Sequence, residues 1–199
     1  MIIPRSPHAG QDQSEIVASG RVQSHVQIAD QLASQLSVLC LQHDPQRHAR
    51  MAHQVRAGSP KYFDAARPLS HAQLVDHLHG TQTYAAPLVT NDHTTFLALD
   101  IDSAAPDGRS AAQLIDDLLD AAVVRGFWAW GNFMASHQRG YVYLAMADMA
   151  DMTRVRYLGD DLIRAIGLTP GQGCPIENRT HGADTRLPFG FHQTAKTFG

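Results

Sequence analysis

The stretch Thr94-Thr95-Phe96-Leu97-Ala98-Leu99-Asp100-Ile101-Asp102 reads as a buried strand with two carboxylates at its end. Side chains alternate between the two faces of a strand, so Asp100 and Asp102 point the same way, ~7 Å apart along the chain. Leu99 and Ile101 point the opposite way, into a core. Two acids directed at one spot repel each other unless a cation lies between them. The pattern is therefore typical of a divalent-metal site for phosphoryl transfer, although a strand that ends in a solvated acidic turn reads the same over so short a stretch.

Composition narrows the class of protein. The chain has 199 residues, of which 44% are hydrophobic, and this suits one globular domain or one and a half. No apolar run approaches the roughly 20 residues of a membrane span, and the N-terminus lacks the layout of a signal peptide. Cys40 and Cys174 form no metal-type cluster, which favours buried thiols in a reducing cytoplasm. A net charge of −3 argues against a broad basic surface for nucleic acid, but not against a local basic groove.

The order of predicted elements indicates three segments. Residues 1–20 read as a flexible arm, 21–94 as an N-terminal helical/αβ subdomain, and 95–199 as a catalytic subdomain. The last segment runs strand, helix, strand, turn, strand, helix, strand. We therefore predict an α+β fold with an antiparallel sheet like that of the RNA-recognition motif (RRM-like) and helices packed on one face. The other face is then free to form a site.

Local signals add detail to this outline. Ser70 with Gln73, and Ser110 with Gln113, predict capping boxes at the starts of two helices. A strand from Tyr84 to Val89, broken by Pro87, is expected to form a hairpin with the paired-acid strand. His77, on the first of these helices, is expected at the surface.

Further candidate residues lie downstream, and each has an ordinary reading beside the functional one. The turn at 136–140 offers backbone N–H groups, Ser136, His137 and Arg139 to a triphosphate, or is simply a hairpin turn. Glu177 is a third acid on a short strand, or a surface residue at a strand end. Arg186, followed by His192 and Lys196, either holds a nucleotide phosphate or is a solvated cation.

Several other chemistries find no support. The chain has no thiolate cluster, no GxGxxG and no Walker loop, and no nucleophile-elbow pattern supports a Ser/His/Asp hydrolase. Two metals held by three acids, in contrast, can activate an attacking 3′-hydroxyl and stabilise a leaving pyrophosphate.

These residues resemble the archaeo-eukaryotic primase superfamily, and most closely the primase-polymerase-like domains of phages, plasmids and bacterial conflict systems. The resemblance is carried, in the family's order, by residues 67–80, 96–102, 136–144, 176–177 and 185–190. It implies that Asp100, Asp102 and Glu177 are the metal-binding catalytic acids. It also implies that Arg186 is the basic residue that follows the third acid.

The second motif departs from the family pattern. The family has a small residue, any residue and then a His that contacts the incoming triphosphate, whereas Tyr141 stands where that His is expected. Three alternatives remain. His137 takes over the contact, or Tyr141 and Arg139 hold the phosphate differently, or nucleotide binding is impaired.

The resemblance implies a DNA primase/polymerase that uses Mg²⁺ or Mn²⁺, a single-stranded or primed DNA template, and NTPs or dNTPs. Ser136, His137, Arg139, Tyr141 and Arg186 are its expected nucleotide-binding residues. A helicase or primer-binding domain is expected beyond residue 199, and no membrane partner. The alternative is a non-catalytic nucleic-acid- or nucleotide-binding module, and a weaker third option is a metal-dependent nuclease that uses the same acids.

Overall fold

The structure is a computed structural model. It describes residues 4–5, 25–41, 50–53, 61–64, 69–87, 89–90, 92–134, 138–180, 184–192 and 197–198. The helices are α1 (His25–Leu41), α2 (His71–Leu78), α3 (Ala111–Val124) and α4 (Met152–Ala165). The first six strands are β1 (Pro4–Arg5), β2 (Arg50–His53), β3 (Lys61–Asp64), β4 (Thr83–Pro87), β5 (Val89–Thr90) and β6 (His93–Ile101). The other six are β7 (Ala129–Met134), β8 (Arg139–Asp151), β9 (Ile176–Asn178), β10 (Asp184–Arg186), β11 (Phe191–His192) and β12 (Thr197–Phe198).

A large antiparallel sheet forms the centre of the molecule. Its strands run in the order β1-β7-β8-β6-β5, and β9 pairs with the other end of β6. Along the chain, β6-α3-β7-β8-α4-β9 is a strand–helix–strand–strand–helix–strand unit. This confirms the predicted α+β class with an RRM-like sheet and helices on one face.

The helix face of the large sheet carries the main core. The helix α3 begins at Ser110 with the predicted capping box, in which Gln113 returns the hydrogen bond to the cap. Its apolar residues recur at helical spacing and pack with the inward side chains of the strands. The buried members of this core are Leu97, Leu99, Ile101, Ala105, Ala111, Leu114, Ile115, Leu118, Leu119, Ala122, Ala129, Val142, Leu144, Val155, Leu162, Ile163 and Ile176.

A small sheet, in the order β10-β4-β2-β3, lies apart from the large one. The predicted hairpin is therefore wrong for most of its first arm, because β4 pairs with β2 and β10, and only β5 pairs with β6. Pro87 is the last residue of β4 and has no N–H to continue a ladder, so the chain can change sheets there.

In the described part of the chain, the aromatic face of the large sheet, opposite α3 and α4, is covered at the end that carries Phe96 and Trp130. Phe96, Trp130 and Tyr143 form a buried cluster there, and Phe189 stacks on Trp130 with ring centroids 5.7 Å apart. Phe189 also packs against a second core, formed by Ala33, Leu36, Leu74, Tyr84 and Leu187. The second core thus closes one end of the aromatic face.

His77 holds this cover in place and is fully buried, so the expectation of a surface residue was wrong. Its Nδ1 accepts the backbone N–H of Tyr84 at 3.1 Å, so Nε2 carries the proton and donates to the carbonyl oxygens of Leu187 and Pro188. The imidazole therefore ties α2 and β4 to the turn that presents Phe189.

The predicted division at 20 and 94 stays a prediction. Residues 1–20 lie outside the described part of the chain except for β1, which pairs with β7. The pairing of β10 with β4 crosses the expected boundary at 94. Among the described residues, no helix is both long and apolar enough to span a membrane.

Candidate metal centre

A row of polar side chains crosses the large sheet near the end of β6. In register, Asn132 lies opposite Tyr141, Tyr141 opposite Asp100, and Asp100 opposite Glu177. Neighbouring strands are ~4.8 Å apart, and directly paired residues share a face of the sheet. All four side chains therefore lie on the aromatic face, beyond the part that Phe189 covers.

Asp100, Asp102 and Glu177 form a group that can hold a metal ion. Each offers a carboxylate oxygen, and these oxygens all lie within 4.8 Å of one another. The Asp100 side chain is only 6% exposed, whereas those of Asp102 and Glu177 are 47% and 43% exposed. The backbone N–H of Asp102 donates to the carbonyl oxygen of Pro175 at 2.9 Å, which fixes the third acid beside the other two.

The donor set and its spacing fit a divalent cation. Metal–oxygen distances near 2.0–2.1 Å put ligands on opposite sides of Mg²⁺ ~4.2 Å apart, so small side-chain rotations close the group around one ion. Carboxylates are hard oxygen donors that suit Mg²⁺, Ca²⁺ and Mn²⁺. With one ligand almost buried and two open to solvent, the site also leaves coordination positions for water or substrate.

Arg179 is inserted between two of these acids. Its Nη2 lies 2.9 Å from Asp100 Oδ2 and 3.0 Å from Glu177 Oε2, and its Nε donates to Asp100 Oδ2 at 3.2 Å. The backbone N–H of Arg179 donates to the carbonyl oxygen of Ala98 at 2.9 Å, which continues the alignment of β9 along β6. The guanidinium therefore supplies the positive charge that two close carboxylates require.

Arg139 contacts Asp102, and it does so more loosely than Arg179 contacts Asp100 and Glu177. Its Nη1 lies 3.4 Å from Asp102 Oδ1, and its side chain is 53% exposed. An exposed pair of this kind contributes ~0–1 kcal/mol to stability, so Arg139 costs little to redirect towards an anionic ligand.

Burial raises the pKa of Asp100 above its usual range, and the nearby carboxylate of Asp102 raises it further. Hydrogen bonds from Arg179 and from the Tyr141 hydroxyl oppose this rise in pKa. Because the pKa is raised on balance, the ionised form of Asp100 is disfavoured here. A divalent cation bound beside Asp100 would favour the ionised form.

An aromatic surface adjoins the acids. Tyr141 stacks on Tyr143 with ring centroids 5.5 Å apart, and Tyr143 stacks on Trp130 at 5.8 Å. The Nδ2 of Asn132, buried beside Tyr141 in the row, has no hydrogen-bond partner among the described residues.

The structure thus brings together Asp100, Asp102, Glu177, Tyr141 and Arg139. Ser136 and His137 lie outside the described residues, as do the side chains of His192 and Lys196. Arg186 lies on β10 of the small sheet, where it pairs with Ala85, and its side chain is not described. Its role at the nucleotide phosphate stays a prediction.

Arg179 is the residue that sequence reasoning missed. The signal was present, since a strand that points Glu177 at the acids also points Arg179 the same way two residues later. The hydrogen bond from the backbone N–H of Arg179 to the carbonyl oxygen of Ala98 shows that the pairing with β6 continues past the end of β9.

Comparison with known proteins identifies no relative. No model of a known protein family matches this chain. A search of curated proteins found no significant match either. Its function is therefore inferred from the candidate metal centre and from the motifs that carry the family resemblance.

Proposed function

We propose that the chain is the catalytic domain of a DNA primase/polymerase of the archaeo-eukaryotic primase type. One observation carries the proposal: carboxylates from two neighbouring strands meet within 4.8 Å on the face of an RRM-like sheet opposite α3 and α4. An acidic turn at the end of a strand would not need a third acid from another strand. Three acids directed at one point suit metal-assisted phosphoryl transfer.

Asp100, Asp102 and Glu177 would hold Mg²⁺ or Mn²⁺. When bound, such ions activate the attacking 3′-hydroxyl and stabilise the leaving pyrophosphate. The chain's own residues prepare this site, because the Tyr141 hydroxyl and Arg179 hold the Asp100 carboxylate in place. Arg139, at the exposed edge, is placed to meet a triphosphate bound over the acids.

The remaining nucleotide contacts follow from the family resemblance. Ser136 and His137 come shortly before β8 in sequence, and Arg186 follows Glu177 in sequence. The substrates would be NTPs or dNTPs on a single-stranded or primed DNA template.

A non-catalytic binding module is the second candidate, and specific contacts favour it. Asp100 is satisfied within the chain by Tyr141 and Arg179, so the acids have partners without any metal. Tyr141 also stands in place of the family's histidine. Such a module would bind nucleic acid or a nucleotide without turnover.

The test is incorporation of labelled NTPs or dNTPs on primed and unprimed single-stranded DNA with Mn²⁺. The proposal expects extension that disappears in the double variant Asp100→Ala, Asp102→Ala. Template binding without incorporation, unchanged by these substitutions, would show the binding module instead. Shortening of the template would show a nuclease, and either result overturns the proposal.

A further inference from the structure

We infer that Arg179 competes with the metal for Asp100 and Glu177, and so couples metal binding to polyphosphate binding. This inference rests on the proposed function, because it takes Asp100, Asp102 and Glu177 as the metal ligands. Arg179 then acts as a positioning residue that holds Asp100 and Glu177 until the metal and polyphosphate bind.

The competition follows from the atoms that Arg179 contacts. A single nitrogen, Nη2, touches both Asp100 Oδ2 and Glu177 Oε2, at 2.9 and 3.0 Å. A divalent ion held by the same two residues would place a second positive charge beside the guanidinium, and an ion that takes Oδ2 and Oε2 would bind them at a shorter distance of about 2.1 Å. The two cations therefore compete for the same pair of carboxylates, and binding of the ion favours release of the guanidinium.

The position of Arg179 allows it to leave. Its side chain is 28% exposed beside Asp100 and Glu177. The backbone stays fixed, because the N–H of Arg179 remains bonded to Ala98 in the sheet. Movement is therefore confined to the side chain, and rotamer changes of partly exposed side chains are fast.

The released guanidinium has an obvious partner in the proposed reaction. A polyphosphate bound over the acids would present anionic oxygens on the same open face, and a planar guanidinium binds phosphate well. Polyphosphate would then offset the loss of the two carboxylate contacts. The metal should bind weakly alone and more tightly when polyphosphate is present, a coupling that is reciprocal by linkage.

The test measures Mn²⁺ affinity, by the electron paramagnetic resonance signal of free Mn²⁺, with and without inorganic triphosphate. The variants are Arg179→Gln, which removes the charge, and Arg179→Lys, which keeps it without the planar fork. Arg125→Gln is the matched control, because Arg125 pairs with Asp161 on the outer helices at 3.4 Å. Chelation of Mn²⁺ by free triphosphate is the same for every variant and cancels in the comparison.

Arg179→Gln should bind Mn²⁺ alone ~10-fold more tightly than the parent chain, within the usual range of coupling between two sites. Triphosphate should then add less affinity than it adds in the parent chain. Arg179→Lys should lie between the two, and Arg125→Gln should match the parent. Asp102→Asn should weaken Mn²⁺ binding in each of these backgrounds.

Equal Mn²⁺ affinity in the parent chain, Arg179→Gln and Arg179→Lys would overturn the inference, as would an undiminished triphosphate effect. If Arg179→Gln does not fold, the comparison of Arg179→Lys with the parent decides. Equal affinities that Asp102→Asn still weakens would leave the proposed metal site intact and reject only the coupling. Coupling without nucleotide incorporation would instead reject the polymerase and keep the linkage.

Discussion

Tyr141 on β8 lies directly opposite Asp100 on β6, and its hydroxyl hydrogen-bonds the Asp100 carboxylate. The aromatic ring is held in turn by stacking on Tyr143, with ring centroids 5.5 Å apart. The residue that departs from the primase pattern is therefore not displaced from the site. It is a partner of Asp100, the buried acid of the candidate metal centre.

This relationship predicts a specific effect of Tyr141→Phe. The ring and its stacking on Tyr143 remain, so the fold should be kept. The ionised Asp100 carboxylate loses the hydrogen bond that the hydroxyl donates. Hydrogen bonds to charged groups contribute about 1.5–3 kcal/mol, so Mn²⁺ affinity and incorporation should both fall, and the free energy of unfolding should fall by no more than that amount. Tyr157→Phe, at an exposed position on α4, is the control. Incorporation and Mn²⁺ affinity equal to those of the parent chain would show that the hydroxyl has no part in the site.

Stability should depend on pH through Asp100. Its pKa is raised from 3.8 in the folded chain by burial first and by Asp102 second. The folded chain thus binds the proton more tightly than the unfolded chain does, so the contribution of Asp100 is fully present below about pH 3.8 and is lost as pH rises through the folded pKa. A tenfold gain in proton affinity on folding corresponds to ~1.4 kcal/mol of stability.

Asp100→Asn should therefore be more stable than the parent chain at pH 7 without divalent cations, as measured by urea unfolding from pH 4 to 7. Asp107→Asn is a control of opposite sign, because a hydrogen bond from Arg109 lowers the pKa of the exposed Asp107. The contribution of Asp107 is present above pH 3.8 and lost as pH falls. An Asp100→Asn variant that is less stable than the parent at pH 7 would contradict this account of the buried acid.

His77→Ala should destabilise the cover over the aromatic face. It leaves the buried N–H of Tyr84 and the carbonyl oxygen of Leu187 without their partner and opens a cavity, at a cost of about 2–4 kcal/mol. Because Phe189 stacks on Trp130, tryptophan fluorescence should shift as the cover loosens. His79→Ala, at an exposed position just after the end of the same helix, should leave both the unfolding free energy and the fluorescence unchanged. A His77→Ala variant with unchanged unfolding free energy and fluorescence would mean that the imidazole does not hold the turn.

Gly140→Ala should destabilise the strand that carries Arg139 and Tyr141. An added Cβ would collide with the backbone carbonyl oxygen of Asn132 and with the side chain of Ile115. Backbone in a central strand cannot move aside cheaply, so we expect a loss of ~2 kcal/mol or more in chemical denaturation. Gly126→Ala meets no neighbouring atom and carries only the strain of φ near +80°, so it should cost about 1 kcal/mol. Equal losses for the two variants would contradict the close packing of β7 against β8.

What the sequence revealed was mostly local. The capping residues Ser70 and Ser110 are read from spacing alone, and both capping boxes form as predicted. The paired acids Asp100 and Asp102 are visible for the same reason, since strand alternation fixes their common direction.

What it concealed was pairing between distant segments. The sheet that β4 joins depends on β2 and β10, which lie far from it in sequence, and alternation does not specify a partner. The sequence around His77 does not predict its burial, because its hydrogen-bond acceptors, the carbonyl oxygens of Leu187 and Pro188, lie 110 and 111 residues further along the chain. Arg179 was missed because its strand pairing extends beyond the short apolar pattern that marks β9.

The proposed activity is nucleotidyl transfer that the three acids catalyse under the direction of a template. The most direct measurement supplies the parent chain and Asp102→Asn with Mn²⁺, all labelled nucleotides and, in turn, oligo-dT and oligo-dC templates. The account predicts that the parent chain incorporates adenine nucleotides on the first template and guanine nucleotides on the second, and that Asp102→Asn incorporates neither. Incorporation that ignores the template, persists in Asp102→Asn, or is absent from the parent chain on both templates would contradict it.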